Sequence, residues 1–279
     1  MKLGTVKSKG INGAALRIIA MATMLIDHIG WNFIKEPMAL TWIGRIAFPV
    51  YAFLLAEGFL IICNDKERLK KHFAVLIMLA VISEPGYDLM DFYLRYSEYP
   101  DSQNNVLTLL LGYLGMMASE WFVPSVASEK ASQKRKNIAV LVCIYGMLGF
   151  SNYMLKGNFN LVGPLLVIAF YWYIRKSKEA SYAGKGWPRA KRLPILLSIF
   201  IGYLSVYFWA RSGFAGPAEW WKEVVAYLPW IAGHFLAAFI ISFYNGELGY
   251  HARWFRKLYT YFYPVHMYVI GTICVLMGK

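Results

Sequence analysis

Arg17 and His28 stand eleven residues apart inside one apolar run, LRIIAMATMLIDHIGWNFI, from Leu16 to Ile34. At about 100° per residue, eleven steps close roughly three helical turns with about 20° left over, so both side chains share one face. Along the axis they are separated by roughly 16 Å. A planar guanidinium suits an anionic group such as a phosphate. An imidazole can take a proton from an attacking amine or hydroxyl without help from a metal. Ionisable groups at bilayer depth are costly, so function is the default explanation for such a pair. Taken alone, Arg17 also fits a side chain that snorkels to the headgroups.

Further polar residues interrupt other apolar runs. Asp27 adjoins His28, and Arg45 follows in GRIAFP; Glu57 lies in LLAEGF, and Glu84 and Asp88 in ISEPGYDL. Asn104, Asn105 and Thr108 open a later run, Asn152, Asn158 and Asn160 cluster near another, and His266 sits in FYPVHM. Each has a bland reading. Asp27 could merely cap or orient His28 or pair with Arg45, Glu84 could satisfy amides freed beside Pro85, His266 could bond a carbonyl freed by Pro264, and the asparagines could join helices. Four acids and two arginines gathered in one bundle are harder to dismiss than any one of them. There is no Ser-His-Asp order, no nucleophile elbow, no glycine-rich phosphate loop and no His-x-x-x-His metal pair. What remains is a histidine base beside a carboxylate, with an arginine set off by the reach of a long phosphorylated arm. That combination suggests acyl transfer from coenzyme A, with Asp27 orienting His28 and with Arg45, Asn104 or Asn105 steadying an oxyanion. Cys63, Cys143 and Cys274 have no metal or redox spacing and read as packing residues.

The elements that must hold these groups are membrane helices. The 279-residue chain is 58% hydrophobic and only 16% charged, too apolar for a soluble domain of this length. The expected fold is all-α: one polytopic transmembrane domain over 1–279, with about nine spans at 14–34, 40–62, 73–93, 105–123, 138–154, 160–175, 193–210, 226–244 and 257–277. A net charge of +13 invites a nucleic-acid reading, but the basic residues alternate along the chain. Twenty-one lie before the first span and in every second connection; six lie in the others or at the end. The positive-inside rule then predicts a multi-pass protein of the cytoplasmic (inner) membrane, N-terminus in the cytoplasm and C-terminus outside, with the bilayer rather than nucleic acid as its partner. The first run is too long for a signal-peptide core and reads as a retained span. Residues 176–192 read as a mobile basic cytoplasmic loop, and 94–104 as an acidic, aromatic outer loop. On this topology the polar groups form a funnel, wide on the outer side and narrowing toward Arg17.

The segments IAMATMLIDHIG, GRIAFPVYAFLLAEGF, ISEPGYDL, NVLTLLLG and FYPVHM, in this order, resemble the TraX family. That family is named for a conjugative-plasmid membrane protein needed to acetylate the pilin N-terminus, and it is similar to the acyltransferase-3 superfamily of membrane acyl-CoA enzymes. An arginine eleven residues before a histidine in the first span is that superfamily's hallmark, and Arg17 and His28 match it. The resemblance implies acetyl-CoA as co-substrate, no metal, His28 as base and Arg17 on coenzyme A, with Arg45, Asn105 and His266 completing the pocket. Glu57 falls where the superfamily commonly has a serine, which places it with the cofactor-binding residues. Glu84, Asp88 and Asn104 are assigned to an acceptor that arrives from the extracytoplasmic side.

The leading reading is therefore a membrane acetyltransferase acting on an amine or hydroxyl, with a pilin N-terminus or a cell-envelope molecule as candidate acceptors. A second reading is a proton-coupled secondary transporter using Asp27, Glu57, Glu84 and His266 as a relay. A non-catalytic scaffold would leave the buried charges unexplained.

Overall fold

The computed structural model describes residues 10–34, 38–95, 102–128, 131–182 and 189–277. Among these, α-helices are α1 (Gly13–Phe33), α2 (Met38–Gly44), α3 (Ala47–Ile62), α4 (Lys66–Arg95), α5 (Asn105–Ser128), α6 (Ala131–Met154), α7 (Gly163–Tyr182), α8 (Arg189–Arg211), α9 (Pro217–Ala226), α10 (Leu228–Ser242) and α11 (Arg253–Leu276). Two isolated bridges, Ile11 with Tyr244 and Gln103 with Gly157, are the extended pairings among the described residues. The chain is an all-α polytopic membrane protein. Its outer surface is apolar where a bilayer would touch it, at Val81, Val142, Met147, Phe150, Ile201 and Val265.

Among the described residues, five helices are long and apolar enough to cross a bilayer: α1, the stretch Trp42–Ile62 through α2 and α3, α4, α6 and α8. The α9–α10 pair, bent by 75°, makes a sixth if it is one broken span. The expected count of nine is not confirmed among the described residues. Pro264, His266 and the tyrosines around them lower the hydropathy of α11. Several helices also run past their apolar cores. α4 starts at Lys66 and α6 at Ala131, seven residues ahead of the expected spans in each case. Lys, Arg and Glu are good helix formers, so nothing stops a helix where its greasy segment ends. For the same reason the stretch 176–192 is not a loop throughout: α7 continues to Tyr182 and α8 begins at Arg189. Residues 183–188, and 96–101 of the expected outer loop, lie outside the described residues.

α1 begins where Asn12 caps it, its side chain accepting from the Ala15 N–H at 2.9 Å. The segment after α10 clasps this start: Ile11 donates to Phe243 O, Asn245 to Ile11 O and Gly13 to Glu247 O. α1, α4 and α11 run parallel, since residues at like distances from their starts meet. His28 faces His266, Gly86 faces Tyr268, and Leu89 faces Gly271. Their N-termini therefore converge at one end of the bundle. α4 passes Pro85 unbroken, and the nearby carbonyls of Ala80 and Ile82 accept from Asn104 Nδ2 and the Tyr268 hydroxyl.

α2 and α3 break at Arg45–Ile46, and close approach on both sides fixes that break. A Cβ on Gly44 would lie 2.2 Å from Asp27 Cγ, and one on Gly233 would lie 2.3 Å from Trp42 O. Gly44→Ala is expected to destabilise the bundle by roughly 1–3 kcal/mol through overpacking, read as a lower thermal midpoint in detergent. An unchanged midpoint would show that α1 and α2 are less tightly held than drawn here.

Candidate active site

One cavity of about 710 Å³ runs between α1, α3, α4, α5 and α11. Its two ends differ in chemistry. At one, where the N-termini of α1, α4 and α11 converge, the wall carries Arg17, Arg68, Lys71, Arg253, Arg256 and Lys257. Those three N-termini add partial positive charge of their own. At the other end stand Asp27, His28, Arg45, Asn105 and Phe159. Among the described residues that line the wall, Asp27 is the single carboxylate, and it stands at the histidine end; Glu57, which does not line the wall, attracts Arg17 electrostatically. Between the ends the lining is apolar or aromatic. The Arg17 guanidinium lies 5.3 Å over the Tyr259 ring, which stacks on Tyr51 at 5.5 Å.

His28 is buried, and its Nδ1 lies 2.7 Å from His266 Nε2, the two rings within 8° of parallel. His266 Nδ1 lies 2.7 Å from the Phe262 carbonyl oxygen. A carbonyl only accepts, so His266 carries its proton on Nδ1 and, with both rings neutral, offers Nε2 as acceptor. His28 must then donate from Nδ1, which leaves its Nε2 unprotonated on a ring that lines the cavity. The fixed tautomer is the one a general base requires.

Asp27, expected to orient His28, does not. Gly44 lets α2 close on α1, and Asp27 is drawn into an ion pair with Arg45, whose Nη2 donates to Oδ2 at 3.2 Å and to Oδ1 at 3.4 Å. Trp230 lies beneath the Arg45 guanidinium at 5.9 Å. His266, not Asp27, is the partner of His28.

Of the other expected residues, Asn105 reaches the cavity wall; its backbone N–H donates to the Tyr263 hydroxyl at 2.9 Å, and its side-chain oxygen is buried without a partner. Glu57 does not belong to this cavity. Tyr51, Leu55, Gly58 and Ile62 form the α3 stripe that lines it, whereas Phe53, Glu57 and Ile61 form the next stripe round and face a second cavity of about 310 Å³. There Glu57 accepts from the Tyr244 hydroxyl. The expected acceptor set is also placed elsewhere: Glu84, Asp88 and Asn104 are not on the wall of the large cavity. Asn104 is almost wholly buried and works as a cap. Its Oδ1 accepts from Val106 N at 2.9 Å, while its Nδ2 donates to Glu84 and to Ala80 O. The four groups of the proton-relay reading are likewise dispersed, with Asp27 on Arg45, Glu57 on Tyr244, Glu84 on Asn104 and His266 on His28.

Several site residues were not read from the sequence in that role. Arg68, Lys71, Arg253, Arg256 and Lys257 belong, in the sequence, only to the positive-inside pattern. Phe159 reaches the wall because its backbone is left-handed, φ 64°, in a turn held by Asn152. Asn152 donates to Asn158 O at 3.0 Å and to Asn160 O at 2.5 Å, and accepts from Thr108 at 2.9 Å. The Phe159 ring then stacks on Phe48 with centroids 4.0 Å apart.

Residues 12–190, well over half of the chain, match the family described as TraX protein. The chain belongs to the TraX family. The matched region contains Arg17, His28, Arg45 and Asn105 and stops short of His266. A relative of nearly the same length is a probable fimbrial assembly protein FimC, serogroup H1, of Dichelobacter nodosus. It is 25% identical over 270 residues, spanning 90% of this chain and 91% of its own. No solved structure matches the chain.

Proposed function

We propose that this TraX-family protein is an integral-membrane acetyltransferase. It would move an acetyl group from acetyl-CoA to an amine or hydroxyl, with the terminal amine of a pilin or fimbrial subunit as the first acceptor to test. The observation that carries the reading is the cavity whose wall joins six cations at one end to the free Nε2 of His28 at the other. Coenzyme A bears its phosphates at one end and its sulfur at the far end of a narrow arm. The cationic end suits the first and the histidine end the second. The fimbrial name of the Dichelobacter nodosus relative and the pilin link of the family favour a subunit of such an appendage.

His28 Nε2 takes the proton from the attacking amine or hydroxyl as its nitrogen or oxygen bonds to the thioester carbonyl carbon. The oxyanion that develops is met by N–H donors of Arg45 and Asn105 on the same stretch of wall. As the carbon–sulfur bond breaks, the proton on Nε2 passes to sulfur, giving free coenzyme A and the acetylated acceptor. No metal is needed in this sequence of steps.

Two measurements test the assignment. Acetyl-CoA and CoA are expected to raise the thermal midpoint of the purified protein, and ATP at equal concentration to raise it much less, since preferential binding to the folded state stabilises it. Equal shifts with all three would reduce the cavity to a general anion site. Radiolabel transfer from acetyl-CoA to a synthetic pilin N-terminal peptide tests the chemistry itself.

The supply of acetyl-CoA also requires the cationic end to face the cytoplasm, as the positive-inside rule has it. Lys70 and Lys156 are exposed on connections expected on opposite sides. In intact cells a membrane-impermeant thiol reagent is expected to label Lys156→Cys and not Lys70→Cys. Labelling of Lys70→Cys from outside would overturn this orientation.

A further inference from the structure

Resting on the acetyl-transfer reading, we propose that His266 is a positioning residue that both fixes the tautomer of His28 and holds the substrate's proton during the reaction. The two histidines would act as one base with a single shared proton. The geometry that carries this is a directional chain of two hydrogen bonds, each 2.7 Å, running from His28 through His266 to the carbonyl of Phe262. The chain is packed among aromatic rings: His28 and His266 are buried, Phe262 stacks on His266 at 4.9 Å, and Tyr263 meets its edge at 5.8 Å.

The usual partner of a histidine base is a carboxylate, which holds the positive charge on that histidine. Here the one carboxylate near His28 is held by Arg45, so the partner is a neutral ring with a lone pair. That changes where the proton goes. As Nε2 of His28 gains the substrate's proton, its Nδ1 proton moves to His266 Nε2. His28 is then neutral with its hydrogen on Nε2, facing the cavity, and the charge sits on His266. Both N–H groups of His266 remain bonded there, to His28 Nδ1 and to Phe262 O. When the thiolate leaves, it takes the Nε2 proton, the Nδ1 proton returns from His266, and the pair is restored. No proton is gained or lost, and no other reactant is required. The ionisable groups around the pair are the Asp27–Arg45 ion pair from α1 and the α2–α3 turn, and Tyr263 on α11. Among the described residues, no side chain of these groups bonds to either imidazole.

His266→Gln separates positioning from proton storage. A glutamine carbonyl can accept from His28 Nδ1 and keep the tautomer, but it cannot take a proton. The variant is expected to bind acetyl-CoA normally yet transfer about 10- to 100-fold more slowly, at or below the lower end of what a positioned proton acceptor contributes. In mixtures of H2O and D2O, the wild-type rate should fall along a curve, because two protons move together, and the His266→Gln rate along a straight line. A His266→Gln protein with wild-type rate would overturn the proposal. If that variant does not fold, the wild-type proton inventory decides by itself, and a linear dependence sinks the relay. Active wild-type protein with either of these negative results leaves the acetyltransferase reading standing. Wild-type protein that transfers no acetyl group to any pilin peptide ends both.

Discussion

His28→Ala is expected to lower the rate of acetyl transfer about 10²- to 10⁴-fold, the usual worth of a positioned general base. Affinity for acetyl-CoA should stay near the wild-type value, because the cations that meet the phosphates lie at the other end of the cavity. His28→Gln distinguishes chemistry from packing. Glutamine is about as long as histidine and can hydrogen-bond to His266, but no atom of it accepts a proton from an amine. A purely structural His28 would tolerate Gln, and Ala would chiefly loosen the contact between α1 and α11. The measurement is single-turnover transfer from labelled acetyl-CoA in detergent or liposomes, beside a thermal-melt control. A folded His28→Gln protein with near-normal turnover would end the base assignment.

Asp27→Asn now carries a different expectation from the one its sequence position suggests. Removing that charge leaves the His28–His266 bond in place but weakens the ion pair that holds the Arg45 guanidinium over Trp230. The loss should appear as misplacement of Arg45. For Asp27 the sequence left His28 and Arg45 both open as partners, and the pairing of His28 with His266 was not legible in the chain. Neighbours in sequence, Asp27 and His28 project about 100° apart on a helix, and each faces a different helix. The long-range partners depend on Gly44 admitting α2 and on the parallel packing of α1 with α11. What was legible followed from local rules. The eleven-residue spacing put Arg17 and His28 on one wall, and the apolar runs marked the helices. Glu57 was misplaced because its family position was read without its place on the helix. Asn104 was misplaced because a buried polar residue that caps α5 looks, in sequence, the same as one that waits for a ligand, and Glu84 because it serves that cap. The basic residues were counted by side of the membrane, which hid that Arg68, Lys71, Arg253, Arg256 and Lys257 come together around Arg17.

That convergence sets the size of the effect expected at Arg17. Arg17→Ala should weaken acetyl-CoA binding by roughly 1.5–3 kcal/mol, the worth of hydrogen bonds to a charged group. It should not abolish binding, since five other cations share the same end of the cavity. Arg17 should matter most among the six. It is half-buried and backed by Tyr259, whereas Arg68, Arg253, Arg256 and Lys257 are exposed and more fully screened by salt. Arg17→Lys keeps the charge but loses the planar fork that grips a phosphate at two points, so it should recover only part of the affinity. The kinetic signature is the opposite of that at His28. Arg17→Ala should raise KM while saturating acetyl-CoA restores most of kcat, because a contact far from the reacting carbon is made equally in ground and transition states. His28→Ala should do the reverse. If instead both substitutions lowered kcat alone, with acetyl-CoA affinity unchanged, Arg17 would be a headgroup anchor. The cationic end would then have to be explained by something other than coenzyme A.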